Sequence, residues 1–369
     1  MVENLEREFK ITAEWIDQVG DSCWFLKKCF ILVTPSLMAI QIHPKHLTKL
    51  QELFGPVRDR KTCLPASLPS DDRGDVPANP SQASKYHTAI GILQYVSADL
   101  PHAQYGIRHL SQFAANPSRG NVKELTHLIG FVQATTHWAV GLEPRPAGRG
   151  LIKHDHDTTV LEAYSDSDWS GCKKSRRSTS SSVLFWSGML LHSSSRTQKS
   201  VTLSSSEAEY NSAVAATCDA LYLLACLNHV SNNAPSKVYL GIDNSSARAI
   251  MSRSGVARMR HLQGKLLWCQ QKVSEGSLVV FPVSTTVNPS DLGTKQLKYD
   301  RVCMLSRTVG MRDMSQDACL VSDPDTPSQV AHVQQVMTAE QMLQVIASMI
   351  AALQVRPATA MDPDGDLEE

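Results

Sequence analysis

The sequence contains no Cys-x-x-Cys pair, and its 9 cysteines are scattered and odd in number. That argues against a disulfide framework or a zinc knuckle. It also lacks any run of about 18 consecutive apolar residues, so no membrane partner is expected. The opening, Met1-Val2-Glu3-Asn4-Leu5-Glu6-Arg7-Glu8, is acidic where a signal peptide would be basic and then apolar. Together these absences point to an intracellular chain, cytoplasmic or nuclear. Net charge is missing as well, with 36 Lys and Arg balancing 36 Asp and Glu. What is present is ordinary globular composition, 42% apolar and 20% charged, over 369 residues. Such a length suits two domains and a tail, and such a composition excludes global disorder.

The zero net charge hides an asymmetry. Residues 310–369 carry two basic and ten acidic side chains, which leaves a surplus of eight positive charges on residues 1–309. A basic body with an acidic tail fits a polyanion-binding protein, although ordinary solvated charge would give the same count. Proline and glycine punctuation divides the chain. Residues 1–61 hold two β-like apolar stretches, Cys23–Leu26 and Cys29–Val33, and a helix over Pro44–Leu53. Residues 62–84, with Pro65, Pro69, Pro77 and Pro80, read as a linker. In residues 85–150 the spacing predicts three helices, on Tyr86, Ile90, Leu93 and Val96, on Ala103, Ile107, Leu110 and Ala114, and on Val122, Leu125, Ile129 and Val132. Residues 151–309 change to an α/β pattern. Strands are expected at Val160–Asp166, on either side of Ser187-Gly188, at Val238–Asp243 and at Leu278–Val283. Helices are expected at Ser206–Leu227, Ser245–Arg253 and Gln263–Ser274. Residues 310–369 read as an acidic tail with one amphipathic helix at Glu340–Val355, a docking helix or part of a disordered segment.

Two strands end in acid, at Asp166 and Asp243, and the long helix carries Glu209 in its first turns. Ala213, Ala216 and Ala220 share that helix face, so the helix can lie close to the sheet and bring Glu209 to the strand ends. Asp291 follows Ser290 at the start of a last helix. Singly, each acid is ordinary as a turn former, helix-dipole partner or cap. Jointly, four converging carboxylates would repel one another unless divalent cations neutralised them. Magnesium prefers such oxygens, and two ions about 4 Å apart can clamp the attacking and leaving oxygens of a phosphodiester displacement.

Tyr164-Ser165-Asp166-Ser167-Asp168-Trp169-Ser170-Gly171-Cys172 and Ser204-Ser205-Ser206-Glu207-Ala208-Glu209-Tyr210 resemble the ribonuclease H domain of copia-type retrotransposon Pol polyproteins. Asp243-Asn244-Ser245-Ser246-Ala247, Arg260-His261 and Asp291-Leu292-Gly293-Thr294-Lys295 continue the resemblance in the family's order. Upstream, Leu110-Ser111-Gln112-Phe113 and Asn116-Pro117 resemble the thumb and connection, and residues 5–68 the last palm strands, of the reverse transcriptase. The resemblance implies an α/β fold: a ribonuclease H-like mixed sheet flanked by helices, preceded by a helical thumb or connection segment and followed by a partly disordered tail. A Tyr-x-Asp-Asp hairpin is missing, as are the fingers and most of the palm. The chain is therefore expected to be a C-terminal Pol fragment that does not polymerise DNA by itself.

By the same resemblance, Asp166, Glu209, Asp243 and Asp291 would be the catalytic, metal-binding carboxylates. The cofactor would be two Mg2+ ions, with Mn2+ as the alternative. Asp168 competes with Asp166 for the leading position. The implied activity is hydrolysis of the RNA strand of RNA–DNA hybrids, with selectivity resting on 2′-hydroxyl contacts. Lys173, Lys174, Arg176, Arg177, Arg196 and Lys199 form a candidate phosphate-tracking surface. The partners implied are an RNA–DNA hybrid or other nucleic acid and a polymerase-bearing chain of the same element. The alternative function is a catalytically silent remnant that binds nucleic acid or serves as an interaction module.

Overall fold

The computed structural model describes residues 16–25, 28–66, 76–143, 160–172, 175–230, 235–254 and 267–315. Among them ten strands form two five-stranded sheets, accompanied by nine α-helices. The N-terminal part starts as an antiparallel meander of β1 (Ser22–Phe25), β2 (Lys28–Thr34) and β3 (Leu37–Ile42). Helix α1 (Pro44–Phe54) follows, with Pro44 in its first turn and the His43 ring accepting from the Lys45 amide at 3.1 Å.

Helices α2 (Pro80–Val96), α3 (Gln104–Ser111) and α4 (Arg119–Ala134) build a separate apolar cluster. Its buried positions include Tyr86, Ile90, Leu93, Ile107, Leu110, Leu125, Ile129 and Val132, the residues whose spacing predicts these helices. Capping boxes fix two of the starts, Asn79 with Gln82 and Ser118 with Asn121. The chain then re-enters the first sheet as β4 (Trp138–Leu142), antiparallel to β3.

The second sheet holds β5 (Leu161–Asp168), β6 (Thr179–Trp186), β7 (Met189–Thr197), β8 (Val238–Ile242) and β9 (Leu278–Pro282) in the order β7-β6-β5-β8-β9. β5, β6 and β7 pair antiparallel, and the β6–β7 hairpin turns on Ser187 and Gly188, with φ of 47° and 78°. Two consecutive left-handed residues match the right-handed twist of the flanking strands, and glycine meets that demand without strain. β5, β8 and β9 run parallel. A parallel return needs a long crossover, which α5 (Ser205–Val230) supplies between β7 and β8. The three antiparallel and two added parallel strands, flanked by helices, make a ribonuclease H-like mixed α/β fold. Helices α6 (Ser245–Met251) and α7 (Trp268–Ser274) join β8 to β9. The single turn α8 (Asp291–Thr294) and helix α9 (Tyr299–Thr308) come next, and β10 (Met311–Asp313) pairs antiparallel with β4.

Several sequence expectations need correction. β3, β4, α9 and β10 were not anticipated, and Ala114 lies beyond the end of α3. The stretch expected as a linker is partly structural. Cys63 and Leu64 are core residues, and Pro80 opens α2 because a proline at the first helical position lacks only an N–H that would have no partner there. The segment expected as tail from residue 310 begins with an edge strand. Asp168 closes β5, paired with Thr179, two residues beyond the expected strand end at Asp166. Arg260-His261 and the 340–355 helix lie outside the described residues.

α5 is long and apolar enough to cross a membrane by length and composition. It packs on β5 and β6, however, with Ala213, Ala216 and Ala220 fully buried. That face has no room for larger side chains. Ala216→Leu should cost about 1–3 kcal/mol by overpacking and lower the urea midpoint. Leucine at Cys218, on the exposed side of the same helix, should change stability by less than about 0.5 kcal/mol.

Candidate active site

The register between β5 and β8 creates the site. Ser165 is level with Ile242, the last residue of β8, so Asp166 and Asp243 follow side by side at one edge of the sheet. Glu209 reaches the same place from the second turn of α5. Ser204 sets the start of that helix by accepting from the Glu207 amide at 3.2 Å, while Glu207 accepts from the Leu203 amide at 2.8 Å. Ser212, one turn after Glu209, donates to the Asp166 carbonyl at 2.6 Å and ties α5 to β5.

The result is a tight trio. One carboxylate oxygen each from Asp166, Glu209 and Asp243 lies within 4.8 Å of the other two. Asp166 is 1% exposed and Glu209 7%. At that spacing each pair of ionised acids would repel by roughly 3 kcal/mol at an effective dielectric constant of about 20. The carboxyls respond as expected. Burial pushes Glu209 above its ordinary value, and the neighbouring charges of Asp166 and Asp243 add to the rise. Burial also raises Asp166, against the opposing pull of Lys295 and the Thr294 hydrogen bond. Asp243 is raised by burial too, again opposed by Lys295.

Asp291 stands beside this trio in a different state. Its Oδ1 accepts from Lys295 Nζ at 2.7 Å and its Oδ2 from Arg301 at 3.0 Å. Lys295 also reaches Asp166, 3.2 Å from Oδ2, and the Thr294 hydroxyl donates to that same oxygen. The turn carrying these groups is pressed onto β6. A Cβ on Gly293 would collide with the Ser181 hydroxyl, so only glycine lets Thr294 and Lys295 come this close. Asn288 pins the preceding loop by donating to the Ser165 carbonyl at 3.1 Å.

Of the four acids expected in the cleft, the structure brings three together and places the fourth in ion pairs next to them. Between Asp166 and Asp168, Asp166 faces Glu209 and Asp243. Both oxygens of Asp168 accept from Thr179, from its amide and from its hydroxyl. Among the candidate phosphate contacts, Arg176, Arg177 and Lys199 are exposed. Arg196 is paired with Asp219 at 2.9 Å. Lys173 and Lys174 lie outside the described residues.

Thr294, Lys295, Ser212 and Arg301 are site residues that the sequence reading did not assign. The Asp291–Lys295 pair was detectable, since residues four apart on a helical turn face each other. Arg301 sits in α9, which was not foreseen.

Glu209 Oε2 is buried and has no hydrogen-bond partner, and the donors facing it are hard carboxylate oxygens. A divalent cation of the magnesium type fits that donor set.

Comparisons with known proteins find relatives among retrotransposon polyproteins. Over 262 residues, 70% of this chain, it is 25% identical to the "Retrovirus-related Pol polyprotein from transposon TNT 1-94" of Nicotiana tabacum. Over 215 residues, 58% of this chain, it is 26% identical to the corresponding polyprotein from transposon RE1 of Arabidopsis thaliana. These likenesses are consistent with a fragment of a copia-type Pol polyprotein. It spans only 18% and 14% of the length of those two Pol relatives. It is also 34% identical over 139 residues to "Secreted RxLR effector protein 161" of Plasmopara viticola, covering 37% of this chain and 90% of that protein. No protein-family profile matches. A solved ribonuclease H1 in complex with an RNA/DNA hybrid aligns over 35% of this chain and 88% of its own, with 15% identity and a TM-score of 0.23. The fold assignment rests on strand order and direction rather than on that overlap.

The raised carboxyl of Glu209 has a consequence for stability. In the unfolded chain the group ionises near its ordinary value of 4.5, and in the folded chain only at higher pH. Between those values the folded state holds more protons, so the cation-free protein loses stability as pH rises. Glu209→Gln should therefore raise the melting temperature of cation-free protein at pH 8 by about 2–4 °C, with the gain shrinking towards pH 4. Scanning calorimetry in chelator at the two pH values measures this. No gain at pH 8 would contradict the electrostatic description.

Proposed function

We propose that this chain is a ribonuclease H-type hydrolase that cleaves the RNA strand of RNA–DNA hybrids. The observation that carries the reading is the gathering of Asp166, Glu209 and Asp243, from two strand ends and one helix, within 4.8 Å. Likeness to copia-type Pol polyproteins supports a nucleic-acid substrate. The hybrid itself, the metal and the residue roles are the proposal. We also read residues 1–61 as the end of a palm and residues 85–150 as thumb and connection.

In this reading Asp166, Glu209 and Asp243 hold a divalent cation, and Asp291 borders a second position. Bound magnesium would neutralise the acids, stabilise charge on the phosphate oxygens and ease deprotonation of the attacking water. The chain's own residues do the positioning. The Thr294 hydroxyl fixes the rotamer of Asp166, and Ser212 holds β5 and α5 together, so the distance from Asp166 to Glu209 is set before substrate arrives. Arg176, Arg177 and Lys199, exposed beyond the strand ends, give phosphate contacts that carry no sequence preference.

A nucleic-acid-binding module without cleavage is the second reading. It is favoured by the engagement of both Asp291 oxygens with Lys295 and Arg301.

A labelled RNA–DNA hybrid incubated with Mg2+ separates the two. Cleavage by the wild-type chain should fall by about a hundredfold or more in Asp166→Asn and Asp243→Asn, since even outer-shell changes at metal sites cost 10–100-fold. Retained hybrid binding with no cleavage by any of the proteins would establish the second reading. Arg176→Ala combined with Arg177→Ala should weaken hybrid binding. It should also flatten the dependence of log affinity on log salt by nearly two, about 0.9 for each phosphate that is no longer neutralised. An unchanged salt slope would remove these arginines from the interface.

A further inference from the structure

Lys295 stands apart from the other cations of the site by how it is held. Its ammonium is 2.7 Å from Asp291 Oδ1 and 3.2 Å from Asp166 Oδ2. Both partners are carboxylates, one 1% and the other 7% exposed at the side chain, whereas the lysine side chain is 40% exposed. Arg301, the second cation on Asp291, is tethered differently. Its guanidinium also donates to the carbonyls of Thr285, at 2.6 Å, and Thr286. Arg301 is therefore also fixed by backbone, while the Lys295 ammonium is held by hydrogen-bonded ion pairs to the two carboxylates and, 40% exposed, can reach solvent on a flexible four-carbon stem.

Buried acids at this spacing require a counter-charge whenever they are ionised. In the cation-free chain the nearest is the Lys295 ammonium, which bridges an acid of the trio to the acid beside it. We propose that Lys295 is the resident counter-ion of the acid cluster, held between Asp166 and Asp291 until a divalent cation binds and displaced from them when it does. This rests on reading the trio as a cation site. Its consequence is that the same side chain stabilises the cation-free fold and competes with the cation. Displacement would also free Asp291 Oδ1 at the moment the cation arrives, with Arg301 retaining Oδ2. The fourth acid would thus become a ligand only in the loaded state.

A purely structural lysine and a displaceable counter-ion differ in sign. Loss of a structural lysine would weaken both the fold and the cation site. Loss of a counter-ion would weaken the cation-free fold and tighten cation binding. The test is calorimetric titration of the full chain with Mn2+ at fixed ionic strength, without nucleic acid, for wild type, Lys295→Met and Lys295→Arg. Lys295→Gln serves as a second neutral variant. The neutral variants should bind Mn2+ roughly tenfold more tightly than wild type, as expected for removal of one like charge a few ångströms away. They should also melt lower in chelator and gain more from added Mn2+. Lys295→Arg should bind no more tightly than wild type. Equal or weaker binding by both neutral variants, with wild-type binding intact, would overturn the counter-ion role while leaving the cation site standing. No Mn2+ binding by wild type or variants would overturn the cation site and this role together.

Discussion

Parallel pairing of β5 with β8 is the constraint on which the rest depends. Because the two strands run the same way and stay in register to Ser165 and Ile242, their next residues, Asp166 and Asp243, must emerge together. Parallel neighbours cannot be joined by a tight turn, so the intervening chain first completes the hairpin of β6 and β7 and then crosses over as α5. The small-residue face of α5 lets that crossover lie flat on the sheet, and its start delivers Glu209 to the end where the aspartates stand. The acids are far apart in sequence, and the sheet topology brings them together.

Such a gathering works against stability. Three acids in a mostly buried corner are raised in pKa by burial before their mutual repulsion is counted. Around them the fold has placed compensations of two kinds. The first is neutral and fixed: the Thr294 hydroxyl on Asp166, the Ser212 hydroxyl on the β5 backbone and the Asn288 amide on Ser165. The second is charged: Lys295 on two acids and Arg301 on one. Among the oxygens of the three acids, Glu209 Oε2 is left buried and without a hydrogen bond. Strain concentrated at one spot within an otherwise consistent sheet and core marks a functional site rather than a folding fault.

Much of this was legible in the residues. Strand runs ending in aspartate, helical spacing on Tyr86, Ile107 and Leu125, and the alanine face below Glu209 each have a period that a sequence displays. The strands that escaped have none. β10 is three residues long and exists because β4 offers it an edge, and β4 follows α4 closely enough to extend its apolar run. β3, Leu37–Ile42, alternates too weakly to declare a face. The partners of charged groups were also hidden. A basic cluster counted along the chain cannot show that Arg196 meets Asp219, twenty-three residues away, or that Arg301 will reach back to Asp291. Pairing of this sort is decided by packing, after topology is fixed.

The central claim is that Asp166, Glu209 and Asp243 together hold a divalent cation. A crystal soaked in Mn2+ and measured at the manganese absorption edge addresses it directly. An anomalous peak within bonding distance of oxygens from all three side chains, about 2.0–2.3 Å for a small divalent ion, is the expected result. An empty anomalous map at the trio, with manganese bound elsewhere on the same molecule, would contradict it.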